Sequence, residues 1–156
     1  MFKAFCLSLL LAVPALAAAG GGSFPSTVGP SGDADLEADY AKAEYLIKSD
    51  NCAEAIPLLK KVVVRDKKHT DALNYLGYCH RKMGKLEEAM EYYERALKID
   101  PKHRGALEYL GELYLLKKDL PKAEEQLAKL KALCPTGCTQ LEDLEDAIAA
   151  YKRDNP

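Results

Sequence analysis

Cys134-Pro-Thr-Gly-Cys138 is the segment whose residue types and spacing come closest to chemistry. Pro135 stops a helix and Gly137 lets the backbone turn, so both sulfurs flank a tight loop. A structural disulfide needs only that proximity and an oxidising compartment. A dithiol redox centre uses two intervening residues and a helix N-terminus that lowers one thiol's pKa, whereas three residues intervene here. A copper or zinc site would have two thiolates without a nearby His or third Cys. The disulfide is the reading adopted; closing so short a loop contributes about 2 kcal/mol in chain-entropy terms, and its main effect is to orient the C-terminal segment. Thiol-redox or metal handling by Cys134 and Cys138 is the alternative function.

Other candidate groups have plainer explanations. His69 and His103 stand at equivalent places in successive copies of a repeat, and His80 aligns with Tyr114, a packing position. Nucleophile motifs, phosphate-cradling glycine loops and paired-carboxylate signatures are not visible. The chain therefore reads as a non-enzyme, with no cofactor or metal expected. With 22 basic and 24 acidic residues the formal charge is -2, which gives no strong pull toward nucleic acid or an anionic membrane.

Residues 1–19 read as a signal peptide: Lys3, an apolar run from Ala4 to Ala15, then small residues at Ala15-Leu16-Ala17 and Ala17-Ala18-Ala19. Cys6 lies between Phe5 and Leu7, away from either cut, so a lipid anchor is not expected. The mature chain is expected to begin at Ala18 or Gly20 and to be periplasmic or secreted, with no membrane span. It keeps four cysteines, Cys52, Cys79, Cys134 and Cys138, an even number suited to disulfides. Antiparallel packing of consecutive helices puts Cys52, at the start of one helix, beside Cys79, near the end of the next, and this predicts a second disulfide.

Residues 20–35, rich in Gly, Ser and Pro, read as a flexible linker without structure. Beyond it, apolar residues three and four apart mark seven helical segments. The organising feature is a period of 34 residues. Leu73-x-x-Leu76-Gly77-x-x-His80 returns as Leu107-x-x-Leu110-Gly111-x-x-Tyr114. Ala89, Tyr93, Ala96 and Pro101 return as Ala123, Leu127, Leu130 and Pro135. One interval earlier, Ala55, Leu59 and Val62 mark a degenerate first copy, with Ala43 for the glycine and Lys67 for the proline. Gly77 and Gly111 are expected to meet Ala89 and Ala123, small residues that permit close helix contact.

This pattern resembles the tetratricopeptide repeat (TPR) family, over about two thirds of the chain, and specifically its small secreted bacterial-type members. The resemblance implies an all-α fold: a right-handed solenoid of three helix-turn-helix repeats at 36–69, 70–103 and 104–137. A capping helix comes after them at 138–156, where Leu141, Leu144 and Ile148 form one apolar stripe and Thr139-x-x-Glu142 reads as a capping box.

The resemblance also implies that the first helix of each repeat lines a concave groove for a partner's peptide or helix. Projecting there, away from the Leu-Gly stripe, are Tyr40, Glu44 and Lys48, then Asn74, Tyr75, Tyr78 and Arg81, then Glu108, Tyr109 and Glu112. Rigid aromatic side chains suit a binding surface. The family's carboxylate clamp, built of Lys, Asn and Arg, is missing: its positions hold Tyr40, Glu44, Tyr75, Gly105 and Tyr109. The expected function is a non-catalytic adaptor of the cell envelope that binds a protein or peptide partner. A structural role, with the uncovered first repeat stacking on a second copy, is a further reading.

Overall fold

Seven α-helices run between Ser31 and Asp154 in this computed structural model, which describes residues 31–155. The signal segment expected at 1–19 and the linker up to residue 30 lie outside the described residues. Helices α1 (Ser31–Lys48) and α2 (Cys52–Arg65) form the first pair, α3 (Thr70–Lys82) and α4 (Leu86–Ile99) the second, α5 (Arg104–Leu116) and α6 (Leu120–Leu133) the third; α7 (Thr139–Asp154) closes the stack. The fold is an all-α helical repeat solenoid. Among the described residues no helix is long and apolar enough to cross a membrane.

The 34-residue period is written into the turns. Asp50, Gly84 and Lys118 occupy equivalent places, and each takes a left-handed backbone, with φ of 56, 73 and 60°. That conformation lets each helix pair reverse in a few residues, at a steric cost for Lys118 that Gly84 escapes. The next helix is then capped by a side chain in two of the three pairs: Asn51 accepts from the Glu54 amide at 3.3 Å and Asp119 from the Lys122 amide at 3.2 Å. Between repeats, Asp66 and Asp100 turn the chain by accepting from the amides of Lys68 and Lys102 at 2.8 and 2.9 Å. The recurring histidines serve as the next N-caps, His69 Nδ1 accepting from the Ala72 amide at 3.2 Å and His103 Nδ1 from the Ala106 amide at 3.0 Å.

Three sequence expectations are corrected. The linker does not extend to residue 35: α1 begins at Ser31, where Asp33 in the first turn complements the helix dipole and Leu36 docks on the core. The capping box at Thr139 does not form. Cys138 takes the N-cap position in an extended conformation without a side-chain cap, which leaves Thr139 inside the first turn. Nor are Ala89 and Ala123 the groups nearest the repeat glycines. A Cβ on Gly77 would lie 2.5 Å from the Tyr93 ring, and one on Gly111 would lie 2.6 Å from Leu144 of α7. Where the second repeat has Tyr93 the third has the shorter Leu127, and the closing helix supplies the side chain that seats against the glycine.

His80 is buried with its ring 5.2 Å from Tyr92. Burial, with the charges of Lys60 and Lys85, holds its imidazole below the ordinary range, so it is a neutral packing group.

Contacts between helices set the curvature. The odd-numbered helices touch in series, α1 with α3, α3 with α5 and α5 with α7, whereas among the described residues α2, α4 and α6 touch only their odd-numbered neighbours. The odd helices therefore form the inner side of the curve, and their side chains define the groove.

Candidate functional site

The inner face carries two clusters built from residues one repeat apart. In the first, Glu44 Oε1 accepts hydrogen bonds from the Tyr40 hydroxyl at 3.4 Å and the Tyr75 hydroxyl at 3.2 Å. The Tyr40 ring lies 4.4 Å from the His69 ring and 6.2 Å from that of Tyr75. Burial and the Glu44 carboxylate push the Tyr75 phenol up to about 12, so it stays a donor at neutral pH. In the second cluster Arg81 Nη2 pairs with Glu112 Oε2 at 2.7 Å, while the guanidinium lies 5.7 Å from the Tyr78 ring centre and 5.4 Å from that of Tyr109. The two tyrosine rings are 5.3 Å apart. Arg81 is thus held in one orientation by charge and by two aromatic rings.

Helical periodicity places the candidates on the inner side, but they do not all project from it. Asn74 and Glu108 are only 5% and 6% exposed. Both lie off the Leu-Gly stripe, at equivalent positions of α3 and α5, and the adjacent odd helix closes over each. Tyr40, Tyr75, Tyr78, Arg81, Tyr109 and Glu112 are half-buried, so these side chains also hold one repeat against the next.

Between α3 and α5, reaching Gln140 on α7, lies an open cleft of about 490 Å³. Tyr75 and Tyr109 line it together with the buried Asn74 and Glu108. Among the described residues the buried Asn74 Oδ1 atom has no hydrogen-bond partner. Gly105 makes room for this side chain: a Cβ there would lie 3.1 Å from Asn74 Nδ2. Also on the cleft, His103 Nε2 and Asp71 Oδ1 are 2.9 Å apart. Because His103 Nδ1 accepts from the backbone, Nε2 carries the proton and donates to Asp71, which holds that carboxyl below the usual range. Asp71, His103, Gly105 and Gln140 were not among the sequence candidates. The recurrence of His69 and His103 was the available signal, since a repeated polar residue at a junction is a cap.

Glu108 is the most perturbed acid of the cleft. Burial, reinforced by Glu112 and Asp143 and opposed by Arg81, pushes its carboxyl up to about 8. The folded chain therefore keeps a proton that the unfolded chain gives up near the ordinary value of 4.5. Stability from this residue is present below about pH 4.5 and declines as pH rises toward about 8. Water entering the open cleft moderates the loss, which we expect to reach about 2 kcal/mol. Urea unfolding at pH 5.5 and 8.5 should show the decline in the wild-type chain, and Glu108→Gln should remove that part of it. An equal pH dependence in both chains would assign it to other groups.

The cysteines pair in space. The sulfurs of Cys52 and Cys79 are in bonding contact with their Cα atoms 5.1 Å apart, and so are those of Cys134 and Cys138, with Cα atoms 5.8 Å apart. Among the described residues no group of three or more His, Cys, Asp or Glu is arranged to hold a metal ion.

Stacked antiparallel helix pairs with a curved inner face, repeating every 34 residues, define a class: the chain has the fold of tetratricopeptide-repeat proteins. Residues 70–103 match the tetratricopeptide repeat family. No curated protein sequence matches the chain. Solved structures share the fold at low identity. The type III secretion translocator chaperone SycD of Yersinia enterocolitica is 23% identical with a TM-score of 0.69, over 78% of this chain and 94% of that one. PcrH in complex with the chaperone-binding region of PopD is 18% identical with a TM-score of 0.69, over 80% and 96%. The first TPR of Spaghetti (RPAP3), bound to the HSP90 peptide SRMEEVD, is 15% identical with a TM-score of 0.67, over 76% and 97%.

Proposed function

We propose that this chain is a non-catalytic adaptor that holds a segment of a partner polypeptide against the inner face of α1, α3 and α5, and that it works outside the cytoplasm. The observation that carries the reading is the half-buried array of Tyr75, Tyr78, Arg81 and Tyr109, fixed on two adjacent rigid helices. Such side chains offer large contact area with little rotamer entropy left to lose on binding. Similar folds in complex with peptides of partner proteins support the same use of the groove. An envelope or secreted location is supported by the leader-like pattern at residues 1–19 and by the two cysteine pairs.

Pulldown from envelope extract with wild-type chain and with Tyr75→Ala/Tyr109→Ala tests the reading. Truncating central aromatic anchors typically costs 2 kcal/mol or more each, about a thirtyfold loss of affinity. Because the two rings also pack between repeats, the variant is to be used at a temperature where circular dichroism shows it folded. A folded variant that still captures every wild-type partner would move the binding site off this face.

A further inference from the structure

The cleft between α3 and α5 has a chemistry of its own. Its walls are Tyr75 and Tyr109, and its buried polar groups are the Glu108 carboxyl and the Asn74 amide, whose oxygen has no hydrogen-bond partner among the described residues. An unpartnered buried acceptor is costly to keep, so its place in an open cleft is informative about what enters. The Asn74 oxygen and the Glu108 carboxylate are acceptors, and the rings beside them present negative π faces. Nearby, Glu112 and Asp143 add negative charge, and Arg81, already paired with Glu112, opposes it. Lys102 and Arg104 also line the cleft, but both are exposed.

We propose that this cleft is a specificity pocket for a lysine or arginine side chain of the bound partner segment. The cation pairs with the Glu108 carboxylate, its alkyl stem lies between Tyr75 and Tyr109, and the covered Asn74 Oδ1 adds its dipole to the same side of the cleft. The pocket rests on the groove being the binding face and adds what the groove selects. A volume of about 490 Å³ exceeds one side chain and accommodates the flanking backbone. It also separates this chain from a fold relative that holds an acidic peptide, SRMEEVD, since the clamp positions here carry no cation.

The protonation of Glu108 gives the pocket a signature. Its carboxyl titrates at about 8 in the empty chain, and an incoming cation favours the ionised form, so binding at neutral pH expels a proton. The groups facing it are Arg81 of α3, Glu112 of α5 and Asp143 of α7, with Asp71, Asp100, Lys102, His103 and Arg104 on the same cleft.

The test is isothermal titration of the full chain with amidated tetra-arginine and tetralysine peptides at pH 6.5 and 8.5, with tetraglutamate as the control. The expected result is saturable binding of the cationic peptides alone, about tenfold tighter at pH 8.5, with a heat that depends on the buffer's ionisation enthalpy. Glu108→Gln, checked for folding by its thermal midpoint, should lose at least about tenfold in affinity at pH 8.5 together with the proton release. Asp143→Asn removes a nearby exposed charge and should change affinity by less than about threefold. Equal losses in the two variants would show a diffuse field rather than a pocket, and absence of binding by the cationic peptides would also overturn the proposal. In the envelope pulldown, partners retained by Glu108→Gln but lost by the tyrosine variant would leave the groove standing and remove the pocket.

Discussion

Replacing Gly77 by leucine is expected to unfold the central repeat. The first added carbon alone would lie 2.5 and 2.6 Å from Cε1 and Cδ1 of Tyr93, closer than carbon atoms can approach. Tyr93 cannot swing away, because its ring is fully buried in a cluster with Ala89, Leu110 and Leu113. Overpacking of a buried site costs about 3 kcal/mol at the upper end of its usual range, a large fraction of the ~5–15 kcal/mol that holds a small domain together. The third repeat packs on the second, so the loss should spread to α5 and α6 rather than stay local. Urea unfolding followed by circular dichroism should show a lower midpoint and lower helicity at 25 °C. Gly32→Ala is the control: its Cβ meets nothing within 4 Å, and alanine favours the helix, so stability should hold or rise. A Gly77→Leu chain as stable as wild type would mean that helices α3 and α4 can separate without penalty.

Loss of the Cys52–Cys79 link should have the next largest effect, and it should fall on the first repeat. The two residues are 27 positions apart, and closing a loop of that length is worth roughly 3.5 kcal/mol in the chain-entropy account. The bond joins α2 to α3, that is, the degenerate first repeat to the regular second one. Among the described residues helix α1 touches only α2 and α3, so its place in the stack depends on that joint. Cys52→Ala/Cys79→Ala should therefore lower overall stability and, by hydrogen exchange, expose α1 and α2 before the rest. Cys134→Ala/Cys138→Ala opens a link across only a four-residue separation and should cost about 2 kcal/mol, felt where α7 meets α5 and α6. Uniform exchange across the stack in the first variant would show that the first repeat stands without its link.

Helix identity and repeat phase were open to sequence reasoning, because both depend on local periodicity. Leu73, Leu76 and Gly77 reappear as Leu107, Leu110 and Gly111 whatever surrounds them, and a helix presents residues three and four apart on one side. The same periodicity put Tyr75, Tyr78, Arg81 and Tyr109 on a common face. It also carried the tetratricopeptide resemblance, since the family is a spacing as much as a composition.

Depth and partnership belong to the tertiary structure. A helical wheel assigns Asn74 and Glu108 an angle about their own axes, but how far they are covered depends on how closely α5 and α7 approach, which the curvature of the stack decides. For the same reason the neighbour of Gly111 is Leu144, more than thirty residues along the chain, rather than a side chain of its own repeat. Likewise a wheel shows His103 at a junction but not the Asp71 carboxylate opposite it in the preceding repeat. The start of α1 was hidden by composition: Gly32 and the residues around it read as linker, and only the seat that Leu36 finds on the core makes ordering them favourable. Spacing along one chain determines which side of each helix faces inward; the distance between helices determines which of those side chains is a surface, which is core, and where a cleft remains open between them.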